Sequence, residues 1–301
     1  MYPAGRSDVT ARFVALRSGL RVRVLEAGPA HGVPVFFVHG WACSIYVFRR
    51  NYAALADAGY RVVAADLKGH GLSDKPLDTA EYTLDAMGRH VLEIMDALAL
   101  RRAALVGHSL GGALAVRTAL QAPERVSRLA LLAPVGIGVV SLMRLLQLLT
   151  PRVIAPLLPY MAPRWTVAAG LHLVYGGIGT FDARDVDEYW APTQFPEFVH
   201  AMRELLHAFY WDPGERSELS RIEQPTLVMF GTRDRVVHPR ALETVVGCLP
   251  RGRFELVEGG GHTIPEEAPG QVNAALLAHF ADLRVDMRGE ARDVVLRVGK
   301  A

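Results

Sequence analysis

Cysteine is scarce: Cys43 and Cys248 are the only two in 301 residues. Neither sits in a CxxC pair or a Cys/His cluster, so a zinc site or a disulfide scaffold has no support. Two isolated thiols suit a reducing compartment, although one disulfide between them stays open. A charge excess is missing as well. Lys+Arg 33 against Asp+Glu 31 leaves a formal net charge of +2, which gives no electrostatic case for nucleic acid. No run of about 18 uncharged apolar residues is present to span a bilayer. The nearest candidate, Gly136 to Leu149, is shorter and is interrupted by Arg144 and Gln147. Few lysines flank the apolar stretch from Leu145 to Trp165, which disfavours lipid association as well. The opening MYPAGRSDVTARF lacks the apolar stretch of a secretory signal. The expectation is a soluble cytoplasmic protein. GxGxxG is absent, so a nucleotide cofactor has no support. His172, His200 and His207 show no metal-ligand spacing. Neither metal nor cofactor is expected, and the oligomeric state stays open.

What is present is apolar: 50% of the residues are hydrophobic, enough for a sizeable core. Residues 12–17 and 20–25, separated by Ser18-Gly19, read as a hairpin. Short apolar runs follow: PVFFV at 34–38, RVVAA at 61–65, AALV at 103–106, LALL at 129–132, TLVMF at 226–230 and RFELV at 253–257. Helical stretches lie among them at 83–98, 110–121, 239–248 and 268–283. Apolar strands separated by helices imply an α/β fold, a mostly parallel sheet with helices on both faces. Between 132 and 226 the alternation stops. That stretch is rich in Leu, Pro, Trp and Tyr, and Pro151, Pro156, Pro159 and Pro163 cut it into short helices. The expected organisation is a core of residues 1–134 and 221–283, a helical lid over 135–220 and a peripheral extension over 284–301.

The sharpest chemical signal is Gly107-His-Ser-Leu-Gly-Gly112, which follows one strand and opens a helix. A serine on such a turn needs small neighbours. The turn lifts its hydroxyl above the sheet, and the helix start brings N–H groups to developing negative charge. A serine at neutral pH also needs a base, and the base needs an orienting carboxylate. Asp234 follows the strand TLVMF, and His262 follows RFELV. The order Ser, Asp, His is the one this architecture uses, and each residue stands after its own strand. Taken singly, Asp234 reads equally as a helix N-cap. Oxyanion donors are expected from the N–H groups of Leu110 and Trp41, the latter in the loop His39-Gly40-Trp41. The Trp41 indole can alternatively line a pocket. Leu149 and Trp165 are candidate substrate contacts from the lid.

Together, His39-Gly40-Trp41, DLKGHGLSDKP at 66–76, the serine turn, Gly231-Thr-Arg-Asp234 and Gly260-Gly-His262 with Glu266 and Pro269 behind it resemble the α/β-hydrolase superfamily, in its serine esterase and lipase type. The resemblance implies Ser109 as nucleophile, Asp234 as orienting acid and His262 as general base. It implies a structural role for Asp66, His70 and Asp74. Relatives that hydrolyse epoxides or haloalkanes carry aspartate at the elbow, where this chain has Ser109. Carbon–carbon bond hydrolases carry an HGxGPG loop, where this chain reads HGWACS. The activity implied is hydrolysis of a small-molecule carboxylic ester with a hydrophobic acyl or alcohol group. A lactone, thioester or carbon–carbon bond, acyl transfer, and a non-catalytic ligand-binding role are the alternatives.

Overall fold

The computed structural model describes residues 2–3, 5–136, 141–151, 153–154, 163–209, 216–237 and 247–283. Eight strands run in the order β1-β2-β4-β3-β5-β6-β7-β8. They are β1 (Val9–Ala15), β2 (Arg21–Ala27), β3 (Pro34–Val38), β4 (Arg61–Ala65), β5 (Ala103–His108), β6 (Val126–Leu132), β7 (Thr226–Gly231) and β8 (Gly252–Val257). β1 and β2 form the expected hairpin, and β2 pairs antiparallel with β4. Every other pairing is parallel. The mostly parallel sheet is therefore as the apolar runs imply, with β3 and β4 at the expected bounds and the other strands shifted at one or both ends by one to three residues. The helix expected over 239–248 falls almost wholly outside the described residues, and so does the extension 284–301.

Strand alternation divides the core in two. Phe36, Val38, Leu105, Leu129, Leu131, Val228 and Phe230 face one way, against α2 (Leu84–Ala97) and α3 (Leu110–Gln121). Val35, Phe37, Ala104, Val106, Leu132, Leu227 and Met229 face the other way. They meet α1 (Tyr52–Asp57), a six-residue helix that apolar patterning does not announce, and the C-terminal helix at 269–280. Each fully buried Val, Leu or Phe contributes roughly 1.5–3 kcal/mol, so both faces need their helical cover.

Between β6 and β7 lie α4 (Ser141–Leu149), α5 (Arg164–Val174), α6 (Ala183–Trp190), α7 (Pro196–Ala208) and α8 (Arg216–Leu219). After β8 come α9 (Ile264–Glu267) and α10 (Pro269–Phe280). Pro163 caps α5, and Pro196 opens α7, where a missing N–H costs nothing. Asp182 and Asp185 form a reciprocal capping box on α6. Phe198, Ala201, Met202, Leu205 and Leu206 of α7 are buried in the same core cluster as α2 and α3, so this segment packs onto the body.

Because β3, β5, β6, β7 and β8 are parallel, the loops at their carboxyl ends share one edge of the sheet. Val38 pairs with Gly107, His108 with Leu132, and Gly231 with Val257. The register sets the HGW, serine, aspartate and histidine loops at one level.

Candidate active site

Ser109 sits where β5 hands over to α3, with φ 54° and ψ −118°. That conformation is costly for a residue with a side chain, on the order of 1–3 kcal/mol. Its surroundings hold it. Ser109 N–H donates to the Leu132 carbonyl at 3.0 Å, and its carbonyl accepts from Gly112 at 2.9 Å and Val135 at 3.1 Å. The flanking glycines are sterically required. A Cβ on Gly107 would lie 2.3 Å from the Gly111 carbonyl oxygen, and one on Gly111 would lie 1.9 Å from that of Val38.

The three residues that the sequence singles out meet here. The Ser109 hydroxyl is 2.8 Å from His262 Nε2, and His262 Nδ1 is 2.9 Å from Asp234 Oδ2. A carboxylate only accepts, so Nδ1 carries the hydrogen and Nε2 is left to accept from the hydroxyl. All three are buried, at 7%, 5% and 5% exposure for Ser109, Asp234 and His262. The other Asp234 oxygen accepts from Val236 N at 2.8 Å and Val237 N at 2.9 Å. Burial by itself would raise the Asp234 pKa. His262 and these two N–H groups outweigh it and hold the carboxyl below the ordinary range. Asp234 thus holds the main chain of its own loop with one oxygen and His262 with the other.

Leu110 opens α3, where first-turn N–H groups have no partner inside the helix. On the facing side Gly40 comes so close that a Cβ there would be 3.1 Å from Ser109 Cβ. His39 shapes this loop. Its Nδ1–H donates to the Gly40 carbonyl at 2.8 Å, and its Nε2 accepts from Leu67 N–H at 3.0 Å. Burial pushes the His39 pKa down and keeps the ring neutral. Trp41 is half-buried, and its indole N–H donates to the Met202 carbonyl of α7 at 3.0 Å. The indole therefore joins the HGW loop to the helical segment, a link that spacing along the chain does not reveal. Leu149 and Trp165, the two candidates from that segment, are 58% and 71% exposed. The structure leaves both largely in solvent rather than enclosed beside Ser109.

Asp66 and its turn are framework. Asp66 is fully buried, pairs with Arg23 at 2.7 Å and accepts from Ile45 N and Leu72 N at 2.9 Å. Asp74 accepts from Arg21 N at 2.7 Å. His70 is buried, with Nδ1 3.1 Å from the Lys68 carbonyl. Among the described residues no group of three or more His, Cys, Asp or Glu is arranged to hold a metal ion. None of their helices is long and apolar enough to cross a membrane.

Several residues around the site escape sequence reading. His108 is buried and donates from Nε2 to the His262 carbonyl at 2.9 Å. Glu266 is buried against Arg49, with Tyr175 at 2.8 Å and Tyr189 at 3.0 Å. Burial raises its pKa even with Arg49 alongside. Among the described residues, Glu267 accepts from three main-chain N–H groups and the Thr263 hydroxyl. The adjacent pair Glu266-Glu267 carries no signal that separates an ion-pair member from a backbone clamp.

The chain and its fold have known counterparts. A family model described as alpha/beta hydrolase fold matches residues 33–174. An uncharacterized hydrolase of Bacillus subtilis (strain 168), YugF, is 30% identical over 254 residues, covering 81% of this chain and 87% of that protein. A bacterial membrane phospholipase A superposes with a TM-score of 0.79 at 25% identity, over 92% of this chain and 87% of that one. A meta-cleavage product hydrolase from Pseudomonas fluorescens IP01 superposes at 0.78 with 22% identity, over 92% and 100% of the two chains, a likeness of fold alone. A sequence shared this far with a hydrolase, on a sheet wound in the same way, means that the chain belongs to the α/β-hydrolase family.

Proposed function

We propose that the protein is a serine hydrolase that cleaves a carboxylic ester with a hydrophobic acyl or alcohol group. The observation that carries the reading is the unbroken line from the Ser109 hydroxyl through His262 to Asp234, at 2.8 Å and 2.9 Å. His262 Nε2 takes the hydroxyl proton as Ser109 Oγ attacks the ester carbonyl carbon. The N–H groups of Leu110 and Trp41 stabilise the oxyanion that forms. His262 returns the proton to the departing alcohol, leaving the acyl group on Ser109. Water then attacks that ester while His262 takes its proton, and the acid leaves with Ser109 restored. Asp234 holds the productive tautomer and stabilises the imidazolium.

Residues 135–220 act as a lid in this reading. Two bonds support it: the Trp41 indole reaches Met202, and His262 N–H reaches the Val174 carbonyl at 2.7 Å. Both tie the helical segment to loops that flank Ser109. The preference for an apolar group rests on Trp41 at the site and on the Leu, Met and Trp content of that segment. The likeness to a phospholipase A supports the same preference.

The test is hydrolysis of p-nitrophenyl esters of graded acyl length, with Ser109→Ala as control. kcat/KM should rise from acetate to a medium chain by up to about fourfold per methylene, the equivalent of about 0.8 kcal/mol of burial. Ser109→Ala should lower kcat on the order of 10⁶-fold and abolish labelling by a fluorophosphonate. An alanine variant that keeps its activity overturns the nucleophile. Acetate as best substrate overturns the apolar acyl site.

A further inference from the structure

The loop bearing His262 is built against the helical segment main chain to main chain. Val174 accepts from His262 N–H at 2.7 Å. A Cβ on Gly176 would lie 2.3 Å from Gly261 N, and one on Gly261 would lie 2.3 Å from Gly176 N. Two glycines face each other at a separation that no other residue fits. Into this seam projects the Glu267 side chain, itself 6% exposed. One carboxylate oxygen accepts from Gly176 N at 2.7 Å and Gly177 N at 3.3 Å. The other accepts from Gly261 N at 3.0 Å and Thr263 Oγ1 at 3.2 Å. One carboxylate thus binds the residues on either side of His262 and fastens them to the segment that receives the His262 N–H. No cation pairs with it among the bonds described, so its charge is balanced by N–H and O–H dipoles, which are strong partners for a carboxylate.

We propose that Glu267 is a positioning residue for His262, clamping the base loop to the 174–177 stretch of the lid so that Nε2 is held in line with Ser109. The proposal rests on the serine hydrolase reading. It makes the lid part of the scaffold of the base rather than a cover alone. Without the carboxylate, Gly176 N, Gly177 N and Gly261 N lose their acceptor together, and buried donors left without partners force the seam apart. His262 then keeps its ring and Asp234 but loses its fixed backbone. A displacement of about 1 Å at a reacting group is enough for a loss on the order of 10²-fold.

The experiment compares wild type, Glu267→Ala and Glu267→Gln by ester kinetics, by the rate of Ser109 labelling with a fluorophosphonate, and by hydrogen exchange of the peptide spanning 259–263. Wild-type labelling that Ser109→Ala abolishes upholds the serine reading, and its absence fails that reading whatever Glu267 does. Given labelling, Glu267→Ala is expected to lose on the order of 10²-fold in kcat and in labelling rate. KM should change less than threefold, and exchange of the 259–263 peptide should quicken. Glu267→Gln retains one acceptor oxygen and should recover part of kcat. If the alanine protein does not fold, the glutamine protein decides, with slower labelling and faster local exchange expected at an unchanged melting temperature. Full kcat and labelling in a folded Glu267→Ala overturn the proposal. So does a glutamine protein that matches wild type in labelling and exchange.

Discussion

The His108 ring donates from Nε2 to the main-chain carbonyl of His262, 2.9 Å away, and the two ring centroids stand 5.2 Å apart. The residue before the proposed nucleophile therefore holds the proposed base by its backbone. The His262 main chain is gripped at its N–H by Val174 and at its carbonyl by His108.

The contact itself favours a protonated ring, and it is burial that keeps His108 uncharged. Burial pushes its pKa down to about 3, and burial likewise lowers those of His39, His70 and His90. In the unfolded chain such rings titrate near 6.5. Between these values the unfolded state binds more protons, so stability is full above about pH 6.5 and is lost progressively as pH falls. Each buried histidine steepens the loss by up to about 1.4 kcal/mol per pH unit. Urea unfolding at pH 7, 6 and 5 should show this slope. His108→Gln, which keeps a donor without a titrating ring, should reduce it by one histidine's share. Equal slopes in the two proteins would show that folded His108 takes up a proton as readily as the unfolded chain.

Asp234 fixes which His262 nitrogen bears hydrogen. Asp234→Asn presents either a donor or a weaker acceptor to Nδ1, so kcat should fall roughly 10⁴-fold while the fold survives. Steady-state kinetics beside a circular dichroism spectrum distinguish this from unfolding. A kcat within tenfold of wild type would remove Asp234 from the mechanism.

Gly111 faces the Val38 carbonyl with no room for a methyl group. Gly111→Ala must push α3 away from β3, at a cost of about 3 kcal/mol or more. Gly270, by contrast, has open space around it, and Gly270→Ala should leave the melting temperature within a few degrees of wild type. A thermal melt of the two proteins decides, and similar losses in both would refute the steric account.

Trp41→Phe keeps the main-chain N–H and the aromatic face but removes the bond to Met202. The loss of one partly buried hydrogen bond costs about 1 kcal/mol, a melting shift of a few degrees. The ratio of kcat/KM on a medium-chain ester to that on acetate should also fall, because α7 loses its tie to the HGW loop. An unchanged ratio would make the bond purely structural.

The sheet was legible because parallel strands covered on both faces are uninterrupted apolar words, such as PVFFV and TLVMF. β8 reads less clearly: at the sheet edge, Gly252, Arg253 and Leu256 are exposed and Phe254 and Glu255 are only partly covered. Ser109, Asp234 and His262 were legible because each follows a strand in a fixed order. Their supports were not. Glu267 acts on backbone N–H groups, and those leave no mark on the residues that carry them. The exposure of Leu149 and Trp165 is not legible either: hydrophobicity marks a side chain as apolar, not as enclosed, and α4 leaves Leu145, Leu148 and Leu149 outward.

The Ser109–His262 bond joins residues 153 positions apart in the chain, with the whole helical segment looped out between β6 and β7. Closing so long an excursion is entropically slow, and the bond exists only once β7 has docked beside β6 and β8 beside β7. Turnover is therefore a reporter of the completed sheet. A chain with only its first six strands in place carries Ser109 without Asp234 or His262 beside it, and has no chemistry to show.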